Sequence, residues 1–521
     1  MDSIYYNEEH DLFRQSIRDF IKREVVPFAD EWEKNRQIPK DLWLKMGEMG
    51  YLGINYPEKY GGMDLDFFFS VIFLEEITKA GYGGFAASVS VHEFMAVAHI
   101  SEMGSDYLKE KYLTKAITGE KVGALGITEP GAGTDVGNIR TSAKKDGDNY
   151  IINGSKTFIT NGYYADFITL SVKTDKEAGI GGISLLVVDM NSEGISKTKL
   201  DKMGWYSSDT AEIFFDDVKV PEKNLVGEEN KGFYYIMESF QLERLTAAIV
   251  SVAAADDTIK ESLQYMSERK AFGRPINKFQ VLRHKIADLT TEVESCRQFV
   301  YHTCWMHDQG KFAVKESSMA KLKASELAKT VADECLQMFG GYGYMNDYPI
   351  SRIYRDARVG TIVGGTSDIM REIIAKMIID DTQYESAYKG DKEFTEKGKQ
   401  KEDLSGSSSK PKIKAETAKE IILSLEQRFR PEKSEGYSTV IQFMISGEQG
   451  GEFTVIIENE TCKVTEGLTG EPQCKIKAKD KIYEELELGK RNPEMAVAFG
   501  KIKISNLNEM KKFTRLFYRL F

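Results

Sequence analysis

The sequence predicts a multidomain α+β protein, with a β unit set between two helical ones and a separate small α/β module at the end. Three observations predict this. Apolar residues recur at helical spacing over 1–121, change to strand-like runs with turn signals over 122–231, and return to helical spacing over 232–385. Residues 386–412 are polar, Lys-rich and then Ser/Gly-rich, which is the composition of a flexible linker. The remaining 413–521 suffice for an independent domain.

The first unit opens with "HDLFRQSIRDFIKREVVPFADEWEK", which puts Leu12, Ile17, Phe20, Ile21, Val25 and Phe28 at helical spacing. "IPKDLWLKMGEMGYLG" starts a second helix, with Gly50 near its end. "LDFFFSVIFLEEITKAG" is apolar on most sides and reads as a buried helix, followed by a Gly-rich loop, "GYGGFAAS". In the β unit, "NYIINGSKTFIT" has the signature of a hairpin turning at Asn153-Gly154. "ITLSVKT", "GISLLVVDM" and "AEIFFDDVKVP" follow as strands. Leu242, Leu245, Ile249, Val252 and Ala253 then mark one face of a long helix, with further helices expected around 275–309, 313–340 and 367–380. In the last module "AETAKEIILSLEQRF" and "LNEMKKFTRLFYRLF" read as helices, with four strands between them.

Composition narrows the function. A net charge of −11 argues against nucleic acid as a partner. No apolar run is long enough for a membrane-spanning segment. The acidic start "MDSIYYNEEHDLF" resembles neither a signal peptide nor an Arg-rich presequence, so a cytoplasmic location is expected. Cys296, Cys304, Cys335, Cys462 and Cys474 are odd in number and lack CxxC spacing, which points to a reducing compartment. His92 and His99 could share a helix face but have no third ligand, so no metal site is expected.

The strongest motif is "GITEPGAGTD" (126–135), a Gly-rich loop whose amides can approach a ligand and whose Thr128 and Thr134 add hydroxyls. Alone, such a loop reads equally well as a plain turn. It is followed in order by "KTFITNG" (156–162), "ERKAFGRPINKFQ" (268–280), "LQMFGGYGYM" (336–345) and "GGTSDIMREIIA" (364–375). Together these resemble the acyl-CoA dehydrogenase family over residues 1 to about 385. The resemblance implies a helical N-terminal domain, a central β-barrel-like domain and a C-terminal four-helix bundle. It also implies FAD, an acyl-CoA substrate, a homodimer or homotetramer in which two subunits contact each flavin, and an electron-transferring flavoprotein as acceptor.

In that family the α-proton of an acyl-CoA thioester is removed while the β-hydride goes to flavin N5. The site must polarise the thioester carbonyl and make a carboxylate more basic by desolvation. The resemblance assigns the polarising amide to Gly364, aided by a flavin hydroxyl. Most members carry their basic Glu at that position. The long-chain and isovaleryl branch instead carries it on the long helix after the β domain, where this chain has Glu243 in "QLERLTAA". A Glu on an amphipathic helix is ordinarily a solvated acid paired one turn away. The glycine at 364 favours the catalytic reading. Arg244 is placed by the resemblance at the substrate entrance.

The resemblance carries flavin contacts to Leu125, Ile127, Thr128, Gly133 and Thr134, with Thr134 also near the substrate's pantetheine. Phe158 is placed against the flavin face, where a core aromatic is the ordinary alternative, with Ile159 and Thr160 beside it. Arg269, Phe272, Gln280, Gln337, Gly340 and Gly341 are expected at the pyrophosphate and adenosine of a neighbouring subunit's FAD. Thr366 and Asp368 are expected near the adenosine phosphates, although Asp368 departs from the commoner Glu or Gln.

The C-terminal "DKIYEELELGKRNPEMAVAFGKIKISNLNEMKKF" (480–513) resembles the sterol carrier protein type 2 domain, which implies a lipid or acyl-CoA ligand. Leu507, Met510, Phe513, Leu516, Phe517 and Leu520 form an apolar stripe that closes this domain's own core or serves as a lid over such a ligand. The expected activity is FAD-dependent dehydrogenation of a medium- or long-chain acyl-CoA to the trans-2-enoyl-CoA. An acyl-CoA oxidase and a lipid-binding flavoprotein without catalysis are the alternatives.

Overall fold

A computed structural model describes residues 4–382, 384, 386, 415, 417–431, 434, 436–488, 496, 501–514, 516–518 and 520. The chain divides into two units, Met1–Gly398 and Lys399–Phe521. The expected linker 386–412 lies, apart from residue 386, outside the described residues.

In the first unit the helix Glu8–Phe20 starts with a capping box between Asn7 and His10 and runs on through one wide turn to Val25. Its buried stripe is Phe13, Ile17, Phe20, Ile21 and Val25. The expected ends of that stripe, Leu12 and Phe28, are exposed: Leu12 lies off the buried face of the helix, and Phe28 lies past its break after Val25. Every residue of the helix Phe67–Thr78 is buried, including two acids. Glu75 and Glu76 are balanced by Arg14, and Glu76 also by Arg18 and Lys79. Tyr301, from the second helical region, donates to Glu75 and joins the two regions.

"GYGGFAAS" is not a loop. A helix runs from Gly83 to Val91. A Cβ on Gly83 would lie 2.8 Å from Trp205 and Asp356, and one on Gly84 would lie 2.5 Å from Ser207. These glycines therefore allow close packing rather than a turn.

The β unit is one mixed sheet of β1 (Gly123–Gly126), β2 (Ser142–Asp146), β3 (Asn149–Thr160), β4 (Phe167–Lys173), β5 (Ile183–Asp189), β6 (Ile195–Lys199), β7 (Thr210–Pro221) and β8 (Leu225–Val226). The strand order is β6-β7-β3-β2-β4-β5-β8, with β1 parallel to β4. Separate apolar cores lie against it, one centred on Ile152, Ile168 and Ile213, the other on Phe167, Leu185 and Tyr112.

The expected hairpin at Asn153-Gly154 does not form. β3 runs unbroken through it, and the turn lies earlier, at Gly147 between β2 and β3. Gly154 is a bulge against β7 with φ +149°. Pairing with both neighbours keeps the strand extended where the dipeptide alone would favour a turn.

The second helical region contains the 37-residue helix Gly232–Glu268, then Gln280–Asp308, Val314–Phe339, the unanticipated short Pro349–Ala357, and Ser367–Ile378. A small ribbon of β9 (Lys270–Ala271) and β10 (Arg274–Pro275) links the first two. Among the described residues no helix is long and apolar enough to cross a membrane.

The second unit holds a five-stranded sheet of β11 (Thr439–Ser446), β12 (Gly451–Glu458), β13 (Thr461–Glu466), β14 (Cys474–Lys479) and β15 (Ile502–Ile504). Its order is β13-β12-β11-β14-β15, with β11 and β14 parallel. The last helix covers only Leu507–Thr514. Among the described residues beyond it, Phe517 bridges Phe429 and Tyr518 N–H donates to the Arg428 carbonyl. Phe513, Leu516 and Phe517 are buried with Ile421, Phe443 and Ile476, so this stripe closes the domain's own core. Most of "GKRNPEMAVAFG" lies outside the described residues.

The Gly154→Ala variant should be less stable by more than ~1 kcal/mol, because the added Cβ would sit 2.6 Å from Thr141 Cα. An unchanged thermal midpoint would show that the bulge tolerates a side chain.

Candidate active site

The Gly-rich loop 127–134 is built from a buried charge pair. Lys156 is fully buried and donates from Nζ to the Ile127 carbonyl at 3.0 Å, Glu129 Oε1 at 2.9 Å and Ser171 Oγ at 3.0 Å. The Glu129 carboxylate also accepts from the amides of Arg140 at 2.6 Å and Thr141 at 2.9 Å. These donors hold its carboxyl below the usual range despite burial. The Thr128 carbonyl accepts from Thr157 N–H at 2.9 Å, which lashes the loop to β3. Lys156 and Glu129 stand inside the quoted motifs, yet sequence reasoning passed over both. A Lys and a Glu look solvent-bound until their burial is seen.

Phe158 is two residues further along β3. It is 69% exposed and has φ +59°. An aromatic side chain on a left-handed backbone is uncommon, and it lies at a register shift of the β3–β7 ladder. The core alternative for Phe158 is thereby excluded. Ile159 is buried, Leu125 and Thr160 are half-buried, and Gly133 and Thr134 are exposed on the loop. A Cβ on Gly131 would meet nothing within 4 Å. An aromatic platform thus stands beside a loop with open backbone, a combination that fits a flat ring system with polar edges.

Glu243 lies on the buried face of the helix Gly232–Glu268 and is 5% exposed. It makes no ion pair among the described residues, and its Oε1 has no hydrogen-bond partner. The reading of a solvated surface acid is therefore excluded. Burial pushes its carboxyl up to about 8, against the opposing pull of Arg244. Ser239 Oγ and Thr246 Oγ1 are also buried and unpartnered. At i−4 and i+3 from Glu243 they share its helix face, and sequence reasoning did not single them out. Arg244 is buried, lies over the Phe240 ring at 5.7 Å, and donates from Nη1 to Ser318 Oγ at 3.4 Å.

The turn at 364–366 is tied to the neighbouring helix Val314–Phe339 through Lys321. Gly364 and Gly365 have φ +63° and +92°. A Cβ on Gly364 would meet nothing within 4 Å, so the space where a longer side chain would stand is open. Thr366 caps the helix Ser367–Ile378 by accepting from Ile369 N–H at 3.3 Å. Asp368 is exposed in that helix's first turn. Lys321 is buried and donates from Nζ to the Gly365 carbonyl at 2.6 Å. Burial and nearby Arg244 bring its ammonium down to about 8.

A third cluster is on the surface. A cleft of about 500 Å³ is lined by Tyr265, Arg269, Gln337, Gly340, Gly341 and Tyr342. Arg269 lies over the Tyr342 ring at 5.3 Å. The neighbouring Phe272, at the tip of the β9–β10 ribbon, is 95% exposed with φ +51°. Gln280 is exposed at the start of its helix.

Comparison with known proteins agrees with this layout. Family models for the acyl-CoA dehydrogenase N-terminal, middle and C-terminal domains match residues 7–120, 124–218 and 230–379. A long-chain specific acyl-CoA dehydrogenase of Rattus norvegicus is 41% identical over 380 residues, 72% of this chain and 88% of that one. The chain belongs to the acyl-CoA dehydrogenase family. It is a flavin-dependent oxidoreductase that uses FAD and acts on acyl-CoA thioesters. The crystal structure of an acyl-CoA dehydrogenase from Geobacillus kaustophilus superposes with a TM-score of 0.71 at 45% identity, covering 72% of this chain and all of that one (100%). A relative from Acetobacterium woodii, 38% identical over 72% of this chain and 100% of its own length, is named as subunit CarC of a caffeyl-CoA reductase-Etf complex. The SCP-2 sterol transfer family model matches residues 422–517.

Lys156→Met should remove the ammonium that balances buried Glu129, at a cost of ~3–5 kcal/mol. The expected result is a lower melting temperature together with loss of FAD on gel filtration. Full flavin retention would show that the loop holds its shape without the pair.

Proposed function

We propose that Glu243 is the base that takes the α-proton of a long-chain acyl-CoA while the Gly364 amide polarises the thioester carbonyl. One observation carries this reading: Glu243 is a buried carboxyl with an unpartnered oxygen whose basicity burial has raised to about 8. The α C–H of a thioester is far too weak an acid for an ordinary carboxylate. Desolvating the base and stabilising the enolate oxygen narrow that gap from both ends.

As the α-proton moves to a Glu243 oxygen, the Cα–H electron pair becomes the Cα=Cβ bond and a hydride departs from Cβ. FAD, when bound, supplies the acceptor for that hydride. Gly364 carries no side chain, so its backbone amide can meet the carbonyl oxygen without competing with Glu243. Arg244 supplies a cation beside the base. Thr134 stands toward the pantetheine.

For the cofactor, Leu125, Ile127, Thr128, Gly133, Phe158, Ile159 and Thr160 would hold the ring system. Arg269, Phe272, Gln280, Gln337, Gly340 and Gly341 would receive the pyrophosphate and adenosine of a second copy's FAD, with Thr366 and Asp368 near the adenosine phosphates. The open cleft and fully projecting Phe272 support a site shared between copies of a homodimer or homotetramer.

The similarity to the rat long-chain enzyme supports the chain length, and the Etf-complex relative supports an electron-transferring flavoprotein as acceptor. All five cysteines are free, which suits a reducing compartment such as the cytoplasm. The C-terminal domain would bind lipid or acyl-CoA and raise its local concentration at the dehydrogenase.

Glu243→Gln should retain FAD yet no longer bleach the flavin when mixed anaerobically with acyl-CoA; undiminished bleaching would sink the assignment. Only the ionised carboxyl accepts a proton, so kcat/KM should rise roughly tenfold per pH unit and level off above about pH 8. Removing 405–521 should raise KM for a long acyl-CoA and leave a short one unchanged. An equal effect on both would rule out the carrier role.

A further inference from the structure

Two halves of the site are carried by elements far apart in sequence: Glu243 on the helix Gly232–Glu268, and Gly364 in a glycine turn some 120 residues later. Glycines with positive φ do not hold such a turn rigid by themselves. One face of a third helix touches both halves. In Val314–Phe339, Ser318 and Lys321 are three residues apart and both fully buried. Ser318 Oγ donates to the Val314 carbonyl at 2.7 Å and accepts from Arg244, the residue next to Glu243, at 3.4 Å. Lys321 Nζ donates to the Gly365 carbonyl at 2.6 Å. The Thr366 cap fixes the far end of the same turn.

A fully buried lysine has a desolvation cost that one carbonyl bond does not repay by itself. Here a second buried cation, Arg244, adds to that cost and outweighs the weaker attraction of Glu326. Lys321 forms no ion pair among the described residues. A packing role alone would be met better by methionine or leucine. What only a long donor can do at this position is hold the carbonyl of a side-chain-free turn.

We infer that Lys321 is a positioning residue for the reaction: by gripping the Gly365 carbonyl it anchors the peptide that follows the two glycines and so limits how far the Gly364 N–H can swing, and through its helix neighbour Ser318 it keeps that turn in register with the helix that carries Glu243. Lys321 touches neither proton nor hydride. Its effect is on carbonyl polarisation, and it rests on the Gly364 amide being the polarising donor.

The test uses the full-length, FAD-loaded enzyme and trans-2-dodecenoyl-CoA labelled with 13C at the carbonyl, a product-like probe that oxidised flavin does not consume. Isotope-edited infrared spectra of the bound thioester report polarisation directly. In the wild type the carbonyl stretch should move to lower frequency than in free ligand. In Lys321→Met the shift should shrink, kcat per bound flavin should fall on the order of 10–100-fold, and the probe's Kd should change by less than about threefold. Lys321→Gln keeps a neutral donor and should recover part of the shift; it also replaces the Met variant if that fails to fold. A shift and kcat equal to wild type in these variants, with only thermal stability lowered, would overturn the role of Lys321 and leave the Gly364 reading standing. No shift in the wild type would overturn both.

Discussion

The site depends on keeping water away from one carboxyl. Glu243 sits on the inward face of a long helix, between Ser239 and Thr246, and no cation pairs with it among the described residues. Its raised basicity follows from that burial alone. Everything around it serves the same end. The helix Val314–Phe339 packs along the helix that carries Glu243 and closes one side. Arg244 is buried beside it but tied to Ser318, not to the carboxylate. A surface glutamate with the same neighbours in sequence would be an ordinary weak base.

A buried charge pair organises the Gly-rich loop of the β unit. Lys156 and Glu129 are hidden inside the β unit, and between them they collect two carbonyl or hydroxyl acceptors and two backbone amides. Such a pair is a poor source of net stability. Its value is geometric, because it fixes the Gly-rich loop against the strand that presents Phe158. The exposed ring of Phe158 on a left-handed backbone is a local strain of the kind that collects at binding sites.

Much of this was legible in the sequence, and the misses have physical reasons. The glycine at 364 and the glutamate at 243 could be picked out as a pair because the surrounding motifs fix the register of both. Lys156, Glu129 and Lys321 were invisible because charged residues read as solvated unless their burial is known. Asn153-Gly154 looked like a hairpin because the dipeptide favours a turn, but two ladders of strand hydrogen bonds outweigh that preference. "GYGGFAAS" looked like a loop because glycine is a poor helix former; packing against Trp205 and Ser207 requires its glycines in a helix.

The sequence by itself determined the order of helical and β segments, the motif set and the two candidate positions for a base. These depend on local periodicity and on residue type at fixed spacing, which are properties of the chain alone. Only the tertiary structure decided that Glu243 is desolvated, that Phe158 projects rather than packs, and that Ser318 and Lys321 join two distant segments. Burial and contact across more than a hundred residues depend on which faces pack together, and no local pattern carries that information.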